Sequence, residues 1–285
     1  MNKYKLKNII FWLLPIILVA GVLFAIQFNR IHRMLESKNS NAANVESQGK
    51  LKNNNIDPEL LKKPVPQVPI LMYHYIRDFN NPSDKLGISL SVSPAKFQEQ
   101  LNWLTSHNYQ TINFDNLVAW RKHQFAIEKK PVIITFDDGF DDGYVNALPV
   151  LEANRQIAVF YIVSSWIDQP GRLTRQQILS LDQKGMMIGC HSAHHLNLET
   201  GSSNVVEQEL SQSKTALEQF LGHPIVHLSY PAGRFGDNTI SIEKSLGFQT
   251  AVTTMSGIST EKDDLFKLPR LRVTEQTNLD NILTN

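Results

Sequence analysis

The chain has 285 residues, 42% of them hydrophobic and 19% charged, with a formal net charge of +1. That length fits one large domain or two small ones, and the near-neutral balance gives no electrostatic reason to expect a nucleic-acid partner. The single cysteine, Cys190, excludes an intrachain disulfide.

Residues 9–28, IIFWLLPIILVAGVLFAIQF, carry no charge and are long enough to span a bilayer core. Lys3, Lys5 and Lys7 precede them, which favours a cytoplasmic N-terminus. The expectation is a cytoplasmic tail over 1–8, an uncleaved membrane anchor over 9–28 and an extracellular tether over 29–64. A cleavable signal peptide is the alternative, but no clean small-residue cleavage site follows Ala20 or Ala25. The tether, rich in Asn, Ser and Lys, has too few apolar residues to form a core. The globular domain is then expected over 65–285, outside the cytoplasm.

VPILMYHYI predicts a first strand with His74 near its C-terminal end. RDFNNPSDKLGISLSV reads as a long polar loop. Ser93 and Pro94 open a helix over SPAKFQEQLNWLTSHN, as N-cap and first helical residue. YQTINF is a short strand, and DNLVAWRKH a short helix with Asp115 as its cap. PVIITF is an apolar, β-branched run that suits a strand buried on both faces, and it stops at Asp137, Asp138 and Gly139. FDDGYVNALPVLEANR is helix-like, with Asp141 and Asp142 read as acidic residues at its N-terminus. IAVFYIV is a strand. LTRQQILSLDQKG is a helix capped by Thr174 and ended at Gly185. MMIGCHSAHH is a strand running into histidines, with Cys190 read as a buried small residue. SNVVEQELSQSKTALEQFLG is a longer helix, HLSYPAG a strand and tight turn, NTISIEKSLG a helix and FQTAVTT a strand, before LFKLPRLRV. Strands and helices that alternate in this way imply parallel βαβ units. No glycine-rich phosphate loop appears, so no nucleotide cofactor is expected.

Two adjacent carboxylates at a strand end repel one another unless a cation or a proton intervenes. His191 and His195 stand four apart, and two histidines with a carboxylate make a three-donor metal site with open positions. His194 could replace His195 on spacing alone.

The order TFDDG, HSAHH, SYPAG resembles the polysaccharide deacetylases of the NodB-homology type, carbohydrate esterase family 4, over roughly Pro69 to Val273. VPILMYHYI and FKLPRLRV are similar to the subgroup acting on poly-β-1,6-N-acetylglucosamine. The resemblance implies a distorted, incomplete (β/α) barrel and one divalent metal ion, zinc first, with nickel, cobalt, manganese or iron as other candidates. It implies Asp138, His191 and His195 as metal ligands and Asp137 as general base. The turn of Tyr230, Pro231 and Gly233 would meet the substrate, with the Tyr230 N–H facing the oxyanion. Ser192 would steady the histidine loop. Two departures stand out. Ser229 occupies the place of the family's motif-three arginine, a role for which Arg270 is the candidate substitute. No late L-x-H motif supplies the usual histidine acid, which leaves His74 as candidate, or Asp137 acting twice. Trp166 could stack on a sugar ring or pack in the core.

The resemblance implies N-deacetylation of an extracellular N-acetylglucosamine polymer, poly-β-1,6-N-acetylglucosamine first and peptidoglycan second. A glycan-binding module without activity, and an esterase acting on O-acetyl groups, are the other classes the same residues allow.

Overall fold

The computed structural model describes residues 67–127 and 129–284. The expected tail, anchor and tether lie outside the described residues. No helix among those described is long and apolar enough to cross a membrane.

The strands are β1 (Ile70–Tyr73), β2 (Tyr75–Ile76), β3 (Ser91–Val92), β4 (Tyr109–Thr111), β5 (Lys130–Phe136), β6 (Val159–Ile162), β7 (Met187–Cys190), β8 (His227–Ser229), β9 (Thr250–Ser256) and β10 (Leu268–Arg272). The α-helices are α1 (Lys85–Leu90), α2 (Pro94–Ser106), α3 (Phe114–Arg121), α4 (Leu148–Ala153), α5 (Arg175–Gln183), α6 (Ser203–Leu221), α7 (Asp237–Ser245) and α8 (Leu279–Leu283). A parallel sheet runs β1-β10-β9-β8-β7-β6-β5-β4, and β1 also pairs with β5. The ring is therefore closed by seven strands. β1 takes the C-terminal half of β5, Ile133 to Phe136, while β4 takes its N-terminal half, Lys130 to Val132. One strand edge shared between two neighbours is the distortion expected of this barrel, which has seven strands where a full one has eight.

Helix ends follow their local chemistry. Ser93 caps α2 by accepting from the Lys96 N–H, and Thr174 with Gln177 forms a capping box on α5. Gly222 closes α6 in a left-handed conformation at φ 80°. Three expectations are corrected. The supposed polar loop contains α1, held by an Asp84 cap, and β3. The cap of α3 is Asn113, paired with Asn116, because the Asp115 carboxylate is instead drawn to His227 Nε2 at 3.0 Å. The helix after Asp142 begins as a π-turn over Gly143–Ala147 before α4.

Alternation with period two sorts the strand side chains. Leu71, Tyr73, Ile134, Phe136, Phe160 and Cys190 pack outward under the helices, whereas Ile70, Ile133, Val159, Tyr161, Val252 and Leu268 fill the interior. Gly189 makes room for the Tyr161 ring, since a Cβ there would sit 2.5 Å from it. Continuing the interior registers toward the strand C-termini reaches Thr135 and Asp137 on β5, His191 after β7, Ser229 on β8 and Arg270 on β10.

Candidate active site

Asp137 and Arg270 are both buried, at 3% and 0% exposure. Arg270 Nη1 donates to Asp137 Oδ1 at 2.8 Å, and Nη2 to Oδ2 at 2.6 Å. The remaining guanidinium donors reach the Thr253 carbonyl, Thr135 Oγ1 and Ser229 Oγ. Ser229 also donates to Asp137 Oδ2 at 3.3 Å. The small serine thus leaves room for a guanidinium that arrives from β10. Burial alone would raise the Asp137 carboxyl, but the Arg270 ion pair and hydrogen bonds hold it well below the usual carboxylate range.

Asp138 comes next in sequence, and its left-handed backbone, φ 71°, swings its side chain away from that pair. Ser192, His195 and Ala232 also adopt positive φ, at 61°, 59° and 53°. Strained conformations of this sort persist where the surrounding fold fixes them, and four of the eight positive-φ residues other than glycine among the described residues fall in the three motifs.

His191 Nδ1 lies 2.7 Å from the Ser229 carbonyl oxygen. That oxygen can only accept, so Nδ1 carries a proton, and a neutral ring then presents a lone pair at Nε2. His191 Nε2 faces Asp138 Oδ1 at 3.3 Å, and His195 Nε2 faces the same oxygen at 3.4 Å. The three donor atoms lie within 4.8 Å of one another. Acceptors this close need a cation or a proton between them. Zinc–ligand bonds of about 2.0–2.1 Å in a tetrahedron place donor atoms roughly 3.3 Å apart, so the set fits a divalent ion. Burial pulls the pKa of His191 down, but Asp138 outweighs it and raises it. Burial and the neighbouring His191 lower that of His195.

Ser192 Oγ accepts from the His195 N–H at 2.9 Å, which steadies the loop. His194, which spacing alone allowed as a ligand, turns away: its Nδ1 lies 2.7 Å from Glu209 Oε1, and its N–H donates to Glu209 Oε2.

The turn after β8 differs from expectation. The Tyr230 N–H donates to the Val252 carbonyl at 3.2 Å, so the sheet already uses it. Its hydroxyl is buried against Glu243 Oε1 and the Phe266 carbonyl. Pro231 is buried in the turn, and Gly233 is held at φ 70° where a Cβ would meet Thr254 Oγ1 at 2.1 Å. The turn N–H with no acceptor among the described residues is that of Ala232, which is exposed.

His74 follows β1 in the interior register, and its ring makes no hydrogen bond to a described residue. Burial pushes its pKa down to about 4, against the pull of Asp137 and Asp138. The ring is therefore neutral near pH 7, and to act as an acid it must first take up a proton.

Two residues with no role assigned from sequence, or a divided one, wall the site. Arg172 Nη1 donates to the Asp138 carbonyl at 3.0 Å, a contact that no motif announces. Trp166 stacks on the His195 ring, centroids 5.4 Å apart, and so serves the site rather than the core. Asp142 is largely buried, and this pushes its carboxyl up to about 6. Cys190 is buried, and burial raises its thiol to about 11, which makes it inert.

A family model for polysaccharide deacetylase matches residues 126–251. YxkH of Bacillus subtilis (strain 168), itself assigned to the polysaccharide deacetylases by name alone, is 30% identical over 207 residues, 73% of this chain and 71% of its own. The peptidoglycan-N-acetylmuramic acid deacetylase PdaA of the same strain is 30% identical over 126 residues, 43% of this chain and 46% of its own. The poly-beta-1,6-N-acetyl-D-glucosamine N-deacetylase of Staphylococcus aureus is 22% identical over 240 residues, 76% of this chain and 82% of its own. Among solved structures, the Streptococcus pyogenes deacetylase PplD, in complex with acetate, superposes with a TM-score of 0.73 at 29% identity, covering 78% of this chain and 98% of that one. Barrel, motifs and relatives agree: the chain belongs to the polysaccharide deacetylase family and is a hydrolase of that family.

Proposed function

We propose that the protein is a metal-dependent N-deacetylase that releases acetate from N-acetylglucosamine residues of an extracellular polymer. The observation that carries this reading is the division of labour between adjacent carboxylates: Asp137 is locked on Arg270, while Asp138 faces His191 and His195. A divalent ion held by Asp138, His191 and His195, zinc first among the candidates, would polarise the acetamide carbonyl and acidify the attacking water. Asp137, kept ionised and oriented by Arg270 and Ser229, accepts the proton of that water. The exposed Ala232 N–H is the donor for the developing oxyanion. Proton return to the sugar amine falls to Asp137, or to His74 once it has gained a proton. Release of acetate and a free amine completes the reaction.

Both polymers expected from the sequence stay in view. The likeness to the Staphylococcus aureus enzyme over 76% of this chain supports poly-β-1,6-N-acetylglucosamine, and peptidoglycan is the other. The extracellular location rests on the hydrophobicity of residues 9–28. The test is acetate release by the full-length chain from matched N-acetylated and O-acetylated oligosaccharides. Faster release from the N-acetylated set, abolished in Asp137→Asn, supports the proposal. Release from esters alone would replace it with an esterase, and binding without any release would replace it with a glycan-binding module.

A further inference from the structure

Beside Asp138 opens a cavity of about 340 Å³, lined among others by Tyr75, Arg77, Phe140, Asp141, Asp142 and Arg172. This is near the lower end of ligand-sized cavities, roughly 300 Å³. Its wall is one continuous stack. Arg77 lies 3.5 Å over the Tyr75 ring, Tyr75 stacks on Phe140 at 3.7 Å, and Arg172 lies 3.9 Å over Phe140 and 4.0 Å over Trp166. Trp166 then stacks on His195. The stack therefore runs from the cavity to the proposed metal site.

The stacking decides what the cavity can recognise. Tyr75 and Phe140 have both faces covered, so neither offers a platform to a sugar ring. Arg172 is sandwiched between Phe140 and Trp166. A guanidinium covered on its faces presents N–H donors along its edge, the geometry that suits a planar carboxylate. Few of those donors are engaged: Arg172 Nη1 reaches the Asp138 carbonyl, and Arg77 Nε reaches Ser91 Oγ at a long 3.4 Å. Among the described residues no carboxylate lies within ion-pair distance of either guanidinium, and Asp141 and Asp142 accept no hydrogen bond from them. The two acids keep the cavity from concentrating anions indiscriminately. Recognition then depends on directed N–H contacts, made only by an acid group delivered at the right place.

We propose that this cavity is a subsite for a carboxylate carried by the glycan, on a sugar next to the one being deacetylated, with Arg77 and Arg172 as its donors. This rests on the reading of the protein as a glycan deacetylase. Between the two candidate polymers, it selects the one whose sugars bear carboxylates, as the lactyl ether of N-acetylmuramic acid does, over one that is uncharged.

The test compares oligosaccharides of alternating N-acetylglucosamine and N-acetylmuramic acid with the same oligosaccharides after reduction of the carboxylates to alcohols. Affinity is measured by calorimetry on the full-length Asp137→Asn protein, with and without Arg77→Gln, and acetate release is followed on the active chain. The carboxylated ligand is expected to bind at least about tenfold more tightly than the reduced one, as hydrogen bonds to a charged group imply. Arg77→Gln is expected to bring the two affinities together by weakening the first. Equal affinity for both ligands without the Arg77 change, or an equal loss of both with it, overturns the subsite. If acetate is released equally from both glycans and Arg77→Gln changes neither, the subsite fails while deacetylation stands. If the affinity difference holds but no glycan releases acetate, the subsite stands and the deacetylase reading fails.

Discussion

Arg270 grips both oxygens of Asp137 at 2.8 and 2.6 Å, across 133 residues of sequence. The pair is wholly inside the barrel, and its side-chain groups bond further to side chains or carbonyls of β5, β8 and β9. A buried charge held in this way is stable only while its partner remains. Replacing Arg270 by Met is expected to destabilise the fold by about 3–5 kcal/mol, read from denaturant unfolding. Adding Asp137→Asn should recover a large part of that loss. An additive double variant would show that the two residues are not coupled.

The same contact sets a pH dependence. Arg270 favours the ionised form of Asp137, so the folded pKa is depressed. Its contribution to stability is present above the ordinary carboxylate value of about 4 and is lost as pH falls through the folded pKa. In Arg270→Lys the charge remains but the two-pronged geometry does not. The acid limb of the kcat/KM profile is expected to move to higher pH, because more of Asp137 is protonated at a given pH. An unshifted limb would mean that another group controls it.

The neighbouring histidines should part company under mutation. His195→Ala removes one of the three converging donors and is expected to weaken metal binding by more than about 100-fold, measured by metal content after dialysis. His194→Ala removes only the Glu209 contact and should keep its metal, with a stability loss of about 1 kcal/mol. Comparable metal loss in both would undo the assignment of His195.

What the chain announced and what it hid divide along a physical line. Ser93, Thr174, Gly185 and Gly222 act within one turn of their own position, so helix ends could be read locally. Asp137, Asp138, His191 and His195 were legible because their motifs sit at strand ends, and the period of two aims Asp137 and His191 inward. Asp115 looked like a cap, but His227, 112 residues away, claims its carboxylate. The N–H of Tyr230 was expected at the oxyanion, but β9 takes it, and no local signal reports a sheet neighbour. Arg172 and the stack it joins exist only once β2, the segment after β5 and the Trp166 loop are side by side. Arg270 was a candidate because Ser229 occupies the family's motif-three arginine position, and only the barrel shows how its guanidinium reaches Asp137.

Glu243 provides a test away from the site. It is fully buried, and burial pushes its carboxyl up to about 8. The folded state therefore holds a proton that the unfolded chain gives up near pH 4.5, and stability falls as pH rises from there to about 8. Glu243→Gln keeps an acceptor for the Tyr230 hydroxyl and is expected to remove that slope. Its Tm should exceed the parent's at pH 9 and approach it at pH 5. Parallel Tm profiles would contradict the buried neutral acid.

In the proposed mechanism Asp138, His191 and His195 would hold the ion while Asp137, gripped by Arg270, moves the proton. The most direct measurement is acetate release by the full-length chain, stripped with chelator and then resupplied with single divalent metals, beside Asp137→Asn and Asp138→Asn. Activity restored by about one metal per chain is expected, with Asp137→Asn keeping its metal but losing at least about 100-fold in rate. Asp138→Asn is expected to lose both. Full activity in stripped protein, or an Asp137→Asn enzyme as fast as the parent, would contradict the account.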